Sequence, residues 1–202
     1  MWALALCAVL SALVTWQVVA GGPLRDADER LGRAAFGRGP TGLTEFLADL
    51  GSMAVAMPVL AVAAVYAAWR GRRARAVAVA LALVAVPVLV MPLKLWIDRP
   101  GPLTAESGYY PSGHTATAMV AYCGAALLLS PRTGRGTGRP WVMPVAVVLS
   151  AATGIGLVLR GYHWPLDVLG SWLLGGMLLA LLAAALRWID NRGAAGAETG
   201  TR

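Results

Sequence analysis

The chain contains one lysine and two histidines, and all three lie in short polar clusters beside the ends of apolar segments. The clusters cover residues 94–100, 110–114 and 160–167. Ionisable side chains at a membrane border are costly to place there and are candidates for function by default. The sequence therefore predicts that Lys94, His114 and His163 belong to one active site.

His163 is followed four positions later by Asp167, and Trp164-Pro165 between them is typical of a helix start. Proline suits the first helical position because its missing N–H would have no helical partner there. An aspartate in the first turn suits the helix dipole and can hold the proton of one imidazole nitrogen. The other nitrogen is then free to act as a nucleophile or general base. For this cluster alone, a capping aspartate beside an interfacial histidine is the alternative.

The run Pro111-Ser112-Gly113-His114 indicates a second helix start. Ser112 is a preferred N-cap residue, and Gly113 lets a ligand approach the backbone closely. Free N–H groups at a helix N-terminus favour anions, and His114 in the same turn can donate a proton to a leaving group. Serine and glycine are also common at helix starts that bind nothing.

Lys94, Arg99 and Arg160 add cationic donors at the same predicted face. Each of them alone would also suit an interfacial residue whose charged end reaches water. Three cations, two helix N-termini and two histidines together indicate a phosphate site with an acid and a nucleophile. The surplus of cations and the lack of a His-x-x-x-His or cysteine pair disfavour a divalent metal. We expect neither a metal nor a cofactor.

The elements that must position these residues are membrane helices. The 202 residues are 58% hydrophobic and 13% charged, which is outside the range of soluble globular domains. Apolar runs long enough to cross a hydrocarbon core recur, without the alternation of a membrane β-strand. The sequence predicts an all-α integral membrane protein whose six transmembrane helices lie at about 2–20, 50–69, 76–93, 113–130, 141–159 and 165–186.

Basic residues predict the topology. Arginines cluster at 70–75, at 132–139 and after the last helix, at Arg187 and Arg192. Six alternating helices would put these sites on one side, which the positive-inside rule assigns to the cytoplasm together with both termini. This explains the net charge of +7 without nucleic acid binding. The polar clusters then face outward, in what we expect to be a bacterial plasma membrane.

Residues 21–49, between the first two predicted helices, carry balanced charges among apolar residues and predict a helix near the interface. An ordinary exposed loop is the alternative. The first apolar run lacks a basic n-region, so we expect a retained helix and not a cleaved signal. Residues 1–190 are expected to form one domain, and the small polar residues 191–202 a disordered tail. Cys7 and Cys123 fall in predicted membrane helices, and neither suggests a disulfide.

These motifs resemble the type 2 phosphatidic acid phosphatase (PAP2) family, of the acid phosphatase and vanadium haloperoxidase superfamily, over about residues 24–186. The family's Pro-Ser-Gly-His motif is complete at 111–114, its His-x-x-x-Asp motif matches His163 and Asp167, and Lys94 matches the lysine that opens its first motif. The resemblance implies a PAP2-like bundle in which His163 attacks phosphorus and becomes a phosphohistidine. Asp167 would orient His163, His114 would protonate the leaving oxygen, and Lys94, Ser112 and Gly113 would bind phosphate oxygens.

Both arginines of the family motifs are missing from their usual positions. The first motif has an arginine where this chain has Gly101, and the third has one where this chain has Leu157. Arg99 comes two residues before the first position, and Arg160 comes three residues after the second. We hypothesise that both arginines are displaced and that their long side chains still bind the phosphate.

The predicted function is hydrolysis of a lipid phosphomonoester or pyrophosphate, because a site at the membrane border leaves the lipid tail in hydrocarbon. The resemblance implies a polyprenyl pyrophosphate or phosphate, phosphatidic acid or phosphatidylglycerol phosphate as the substrate, with membrane lipids around the protein. Alternatives are a lipid phosphotransferase that uses the same intermediate, a catalytically silent lipid-binding homologue and a haloperoxidase. The sequence leaves the oligomeric state open.

Overall fold

The computed structural model describes residues 2–130 and 140–199, which form eight α-helices and no strand. The helices are α1 (Trp2–Val19), α2 (Pro23–Ala35), α3 (Thr41–Asp49), α4 (Met53–Trp69), α5 (Arg73–Ile97), α6 (Gly113–Leu129), α7 (Val142–Leu159) and α8 (Pro165–Thr199). The expected all-α class is confirmed. The basic loop with Arg132, Arg135 and Arg139 lies outside the described residues, as do residues 200–202 at the end of the tail.

Three helices, α5, α7 and α8, are long and apolar enough to cross a membrane. Two neighbouring pairs pass the same test only when each pair is taken together, and each pair is bent, by 81° between α1 and α2 and by 47° between α3 and α4. Helix α6 is apolar but has only 17 residues. By length and composition the described residues therefore provide three spans, or up to five if each bent pair crosses once. The expected number of six is not confirmed.

Two helix boundaries differ from the sequence prediction. Helix α5 extends beyond the predicted range 76–93 at both ends, and Pro87 and Pro92 lie inside it. Helix α8 runs to Thr199 and so continues through most of the segment 191–202 that we expected to be disordered. Alanine, arginine and glutamate are good helix formers, and lengthening an existing helix needs no new nucleus. The tail thus continues α8 although it also contains glycine, a poor helix former.

Helix α6 is the centre of the bundle, surrounded by α4, α5, α7 and α8. Small residues let these helices approach it closely, as is common where membrane helices pack. A Cβ atom at Gly124, for example, would lie 2.8 Å from the Val79 side chain. The N-terminus of α6, where His114 lies, is consequently held between the neighbouring helices.

The bundle has a basic end and a second end where the three polar clusters meet. At the basic end, Arg75 donates to Asp190 of α8 at 2.5 Å and to the Leu127 carbonyl at 2.7 Å. Arg72 donates to the nearby carbonyls of Leu128 and Ser130. These carbonyls end α6, where positive charge suits the helix dipole. The opposite end therefore contains the last turns of α5 and α7 and the first turns of α6 and α8.

The segment 21–49 is helical, as predicted, but it consists of two helices joined by a turn. Helix α2 contacts α8, and α3 packs along α7. The apolar side chains of Leu24, Leu31 and Phe36 are exposed, whereas Asp28 and Gly32 of α2 are buried. Helix α2 therefore packs its buried face, which includes a carboxylate, against the end of the bundle that carries the polar clusters.

Candidate active site

A cavity of about 570 Å³ lies between α4, α5 and α6. Lys94, His114 and His163 line its polar end, together with the backbone of Gly113. The rest of the lining is mostly apolar and includes three methionines and the face of α5 between Leu83 and Met91. The structure thus brings the predicted lysine and both predicted histidines to one end of a long apolar cavity.

Lys94 is held at this cavity by a backbone contact. Its Nζ donates to the carbonyl oxygen of Gly108 at 2.5 Å. Gly108 has a φ of +83°, a left-handed conformation that glycine adopts without strain. An ammonium group has three N–H donors, so two remain for a ligand in the cavity.

His163 and Asp167 form the predicted pair at the start of α8. The Nδ1 atom of His163 lies 3.3 Å from Oδ2 of Asp167, which also accepts a hydrogen bond from the Trp164 backbone at 3.0 Å. Both side chains are buried, and the ring of Tyr109 meets the His163 imidazole edge-on at 5.6 Å between centroids. With its proton on Nδ1, His163 would have Nε2 free for chemistry.

Arg99 lies behind this pair and does not reach the cavity. Its side chain is fully buried and donates to Asp167 at 2.6 Å and to Asp28 at 2.5 Å. The guanidinium also lies over the ring of Trp164, 5.5 Å from its centroid. The geometry therefore does not support the expectation that Arg99 binds phosphate, because carboxylates already hold both terminal nitrogens.

Asp28 is a buried charged residue that no sequence motif indicated. Its Oδ1 accepts the backbone N–H of Leu166 at 2.7 Å, while Oδ2 accepts from Arg99. Burial raises the pKa of Asp28, and the hydrogen bond and charge of Arg99 oppose that rise. The carboxyl groups of Asp28 and Asp167 thus share one guanidinium next to His163.

Ser112 and Gly113 start α6 as the sequence predicts. The Ser112 hydroxyl accepts from the backbone N–H of Thr115 at 3.3 Å and from the Thr115 hydroxyl at 3.0 Å. The backbone N–H of Ser112 donates to the Asp167 carbonyl at 3.1 Å, which ties the starts of α6 and α8 together. Ser112 is completely buried and lines neither cavity described here, whereas Gly113 lines the apolar one.

The adjoining Tyr110 also fixes this region. Its hydroxyl is hydrogen-bonded to Thr15 of α1 at 2.8 Å, and its ring packs where a Cβ atom at Gly170 would lie, 2.6 Å from the Tyr110 hydroxyl oxygen. Burial raises the pKa of Tyr110. The neutral Tyr110 side chain therefore connects α1 and α8 close to the start of α6.

Arg160 does not line the cavity that Lys94 and the two histidines line. Its Nε is 2.5 Å from Oε2 of Glu45 on α3, and its guanidinium lies 5.7 Å from the centroid of the Tyr162 ring. Tyr162 also donates to the other oxygen of Glu45 at 2.8 Å. Arg160 therefore links α7 to α3, and the structure does not bring it to the phosphate position that we hypothesised.

A second cavity, of about 420 Å³, shares only His114 and His163 with the first. Its lining is more polar and includes Asp49, Thr104, Tyr109 and Tyr162. The two histidines therefore lie between an apolar and a polar space. Sequence reasoning missed these four residues because they lie at helix ends and in loops without a recognisable motif.

Within the described residues, no group of three or more histidine, cysteine, aspartate or glutamate side chains is placed to hold a metal ion. Cys7 and Cys123 are free thiols.

Comparison with known proteins identifies the family. A family model described as the PAP2 superfamily matches residues 75–191, more than half of the chain. The chain belongs to the PAP2 superfamily. A relative from Sulfolobus acidocaldarius named undecaprenyl-diphosphatase is 35% identical over 69 residues, which are 34% of this chain and 29% of the relative. This match spans less than a third of that relative's length.

A solved PAP2 structure has the same fold. The crystal structure of a transmembrane PAP2 type phosphatidylglycerolphosphate phosphatase from Bacillus subtilis matches with a TM-score of 0.76 and 21% sequence identity. The match covers 91% of this chain and 96% of that one. Together with the apolar helices, this fold identifies a multi-pass membrane protein.

In this PAP2 member, neither of the two positions where the family motifs have an arginine carries a cation; they are Gly101 and Leu157. A Cβ atom at Gly101 would lie 2.5 Å from Cζ of Tyr109, so the Tyr109 ring covers that position. Leu157 is buried and lines the polar cavity. Among the residues that line the two cavities in the described part of the chain, Lys94 is the one lysine or arginine.

Proposed function

We propose that this PAP2 member is a membrane lipid phosphatase that hydrolyses a lipid phosphomonoester or pyrophosphate through a phosphohistidine on His163. One observation carries the proposal: Lys94, His114 and His163 line the polar end of a cavity that is otherwise mostly apolar. A phosphoryl group at that end would leave the lipid tail along α4 and α5. Ligand cavities that combine an apolar lining with a few converging polar groups are typical of binding sites.

The reaction would proceed in two steps. The Nε2 atom of His163 attacks phosphorus, the bond from phosphorus to the leaving oxygen breaks, and His114 gives that oxygen a proton. Water then attacks phosphorus while His114 takes a proton from that water, and the bond from phosphorus to Nε2 breaks. Inorganic phosphate leaves, and His163 is restored. Lys94 and the free N–H groups in the first turn of α6 would stabilise the charge on the phosphoryl oxygens.

We infer that this chemistry needs no metal, because Lys94 and a helix N-terminus supply the positive charge. The test is release of inorganic phosphate from polyprenyl diphosphate, polyprenyl phosphate, phosphatidic acid and phosphatidylglycerol phosphate, with and without EDTA. We expect release from at least one of them, unchanged by EDTA and absent in His163→Ala. Unchanged release by His163→Ala would refute the mechanism, and loss in EDTA would refute metal independence.

We further propose six crossings, made by α1, α4, α5, α6, α7 and α8, with α2 and α3 at the outer interface. The basic end of the bundle would then face the cytoplasm with both termini, in accord with the positive-inside rule. The test uses single cysteines at Arg70 and Glu106 in a chain whose Cys7 and Cys123 are replaced by alanine. A membrane-impermeant thiol reagent added to intact cells should label position 106 and not position 70, and the reverse pattern would overturn the orientation.

Phosphoryl transfer to an alcohol is a second candidate function, and the polar cavity favours it. That cavity opens on both histidines and offers Asp49, Thr104 and Tyr109 as hydrogen-bonding groups for an acceptor hydroxyl. The two functions are distinguished by adding glycerol to the assay with a lipid phosphate. A hydrolase releases the same inorganic phosphate as before, whereas a transferase forms glycerol phosphate at the expense of inorganic phosphate.

A further inference from the structure

Helix α2 contacts the catalytic pair through a chain of buried hydrogen bonds. Asp28 of α2 accepts from Arg99, Arg99 donates to Asp167, and Asp167 lies 3.3 Å from Nδ1 of His163. Asp28 also accepts from the backbone N–H of Leu166 at 2.7 Å, in the first turn of α8. The three charged residues in this series of hydrogen bonds are buried, with exposures of 1% for Arg99, 5% for Asp28 and zero for Asp167.

Asp28 therefore acts on Asp167 in two ways. It fixes the first turn of α8, on which Asp167 lies, and it accepts a hydrogen bond from one of the two terminal nitrogens of Arg99. Without the carboxylate of Asp28, Arg99 would share its charge with Asp167 alone, and Asp167 would be a weaker acceptor for the His163 Nδ1 proton. Hydrogen bonds to charged groups in a buried site are stronger than those in water, so the sharing of Arg99 between the two carboxylates strengthens the Asp167–His163 hydrogen bond.

The docking of α2 depends on Gly32, one turn after Asp28. A Cβ atom at position 32 would lie 2.7 Å from the ring of Trp164, the residue next to His163. The Trp164 indole N–H donates to the Pro100 carbonyl at 2.9 Å, which fixes the ring against the Arg99 segment. A glycine at position 32 thus lets α2 come close enough for Asp28 to reach Arg99 and Leu166.

We propose that Asp28 is a positioning residue of the active site, which acts through Arg99 and Asp167 to hold His163 ready for attack. This assigns a role to the interfacial segment 21–49 and to Arg99, whose side chain serves the nucleophile and not the phosphate. The inference rests on the proposed function, because it assumes that His163 is the nucleophile.

The test is Asp28→Asn, which keeps the shape and an oxygen acceptor but removes the charge, with Asp26→Asn as the matched control. Asp26 is on the same helix and is exposed. We expect Asp28→Asn to lower kcat about 10- to 100-fold, as loss of an outer supporting partner does in other sites, with little change in KM. Asp26→Asn should stay within about twofold of the parent, in line with the small effects of surface substitutions.

A double-mutant cycle separates positioning from a general loss of structure. If Asp28 acts through Asp167, then Asp28→Asn should have almost no further effect on kcat in an Asp167→Asn chain. Losses that multiply in the double variant, or an unchanged kcat in Asp28→Asn, would overturn the proposal. Inactivity of the parent chain on every lipid phosphate would instead count against the proposed function, so the two failures are distinguishable.

A second variant decides the matter if Asp28→Asn does not fold. Gly32→Ala keeps every charge and adds only a methyl group, which pushes α2 away from Trp164. We expect it to lower kcat with KM preserved, whereas Gly42→Ala, whose added Cβ would meet nothing within 4 Å, should leave both unchanged. A Gly32→Ala enzyme with the kcat of the parent would refute the role of α2.

Discussion

The apolar cavity predicts how turnover should depend on the length of the lipid tail. Its lining on α5 runs from Lys94 to Leu83, 11 positions apart. At a rise of 1.5 Å per residue this is about 16 Å of helix. Each methylene group moved from water to an apolar site contributes about 0.8 kcal/mol, a factor of roughly four. For short-chain substrates that remain monomeric, kcat/KM should therefore rise by up to fourfold per methylene, until the extended tail reaches about 16 Å, and then level off.

Narrowing the cavity should remove part of this dependence. Met57 lines it from α4, and Met57→Trp would fill space that the tail occupies. Exclusion of two methylene groups would cost about 1.6 kcal/mol, or roughly fifteenfold in kcat/KM, for long tails. The shortest substrates should be unaffected. Val59→Trp is the matched control, because Val59 is an exposed residue of α4 that lines neither cavity.

The assay is steady-state phosphate release across a series of saturated lipid phosphates, each below its critical micelle concentration. If kcat/KM does not depend on tail length in the parent chain, the tail does not enter this cavity. Equal losses in Met57→Trp and Val59→Trp would also contradict the reasoning, since they would indicate a general effect of tryptophan on α4.

Three further predictions concern the acid, the basic end and the packing of α3. In steady-state assays, His114→Ala should lower turnover of a lipid phosphate about 10²- to 10⁴-fold. It should have much less effect on p-nitrophenyl phosphate, because that leaving group needs no proton. Equal losses with both substrates would contradict the role of His114 as the acid. Asp190→Ala should destabilise the protein by about 3–5 kcal/mol, because it leaves buried Arg75 without its carboxylate. The double variant Arg75→Met, Asp190→Leu should recover most of that loss when thermal unfolding is measured in detergent. A double variant as unstable as Asp190→Ala would contradict this prediction. Gly156→Ala should cost about 1–3 kcal/mol, because overpacking strains the α3–α7 contact. Its new Cβ would lie 2.4 Å from a backbone nitrogen of α3, whereas Gly42→Ala in the same unfolding assay should be nearly neutral.

Most side chains of the candidate site could be predicted because the spacings that relate them are short. His163 and Asp167 are four positions apart, so one helical turn brings them together wherever that helix lies. Ser112, Gly113 and His114 likewise share one helix start. The scarcity of lysine and histidine in an apolar chain then made Lys94 and the two histidines stand out, and the PAP2 family match confirms the resemblance that they carry.

The contacts of Arg99 and Arg160 could not be predicted, because their partners are distant in the sequence. Arg99 bonds to Asp28, 71 positions away, and Arg160 pairs with Glu45 on α3. A long side chain can point to several neighbours from the same backbone position, and the packing of α2 and α3 against α7 and α8 selects among them. Local spacing cannot distinguish an arginine that faces a phosphate from one that faces a carboxylate.

The sequence by itself determined the all-α membrane class, the family and the motifs that hold the candidate residues, since helical periodicity and spacing within one turn are local properties. Only the tertiary structure decided that Asp28 of α2 is linked through Arg99 to the His163–Asp167 pair, and that the histidines lie between an apolar and a polar cavity. Those features depend on distances between elements, and side-chain packing among helices sets such distances.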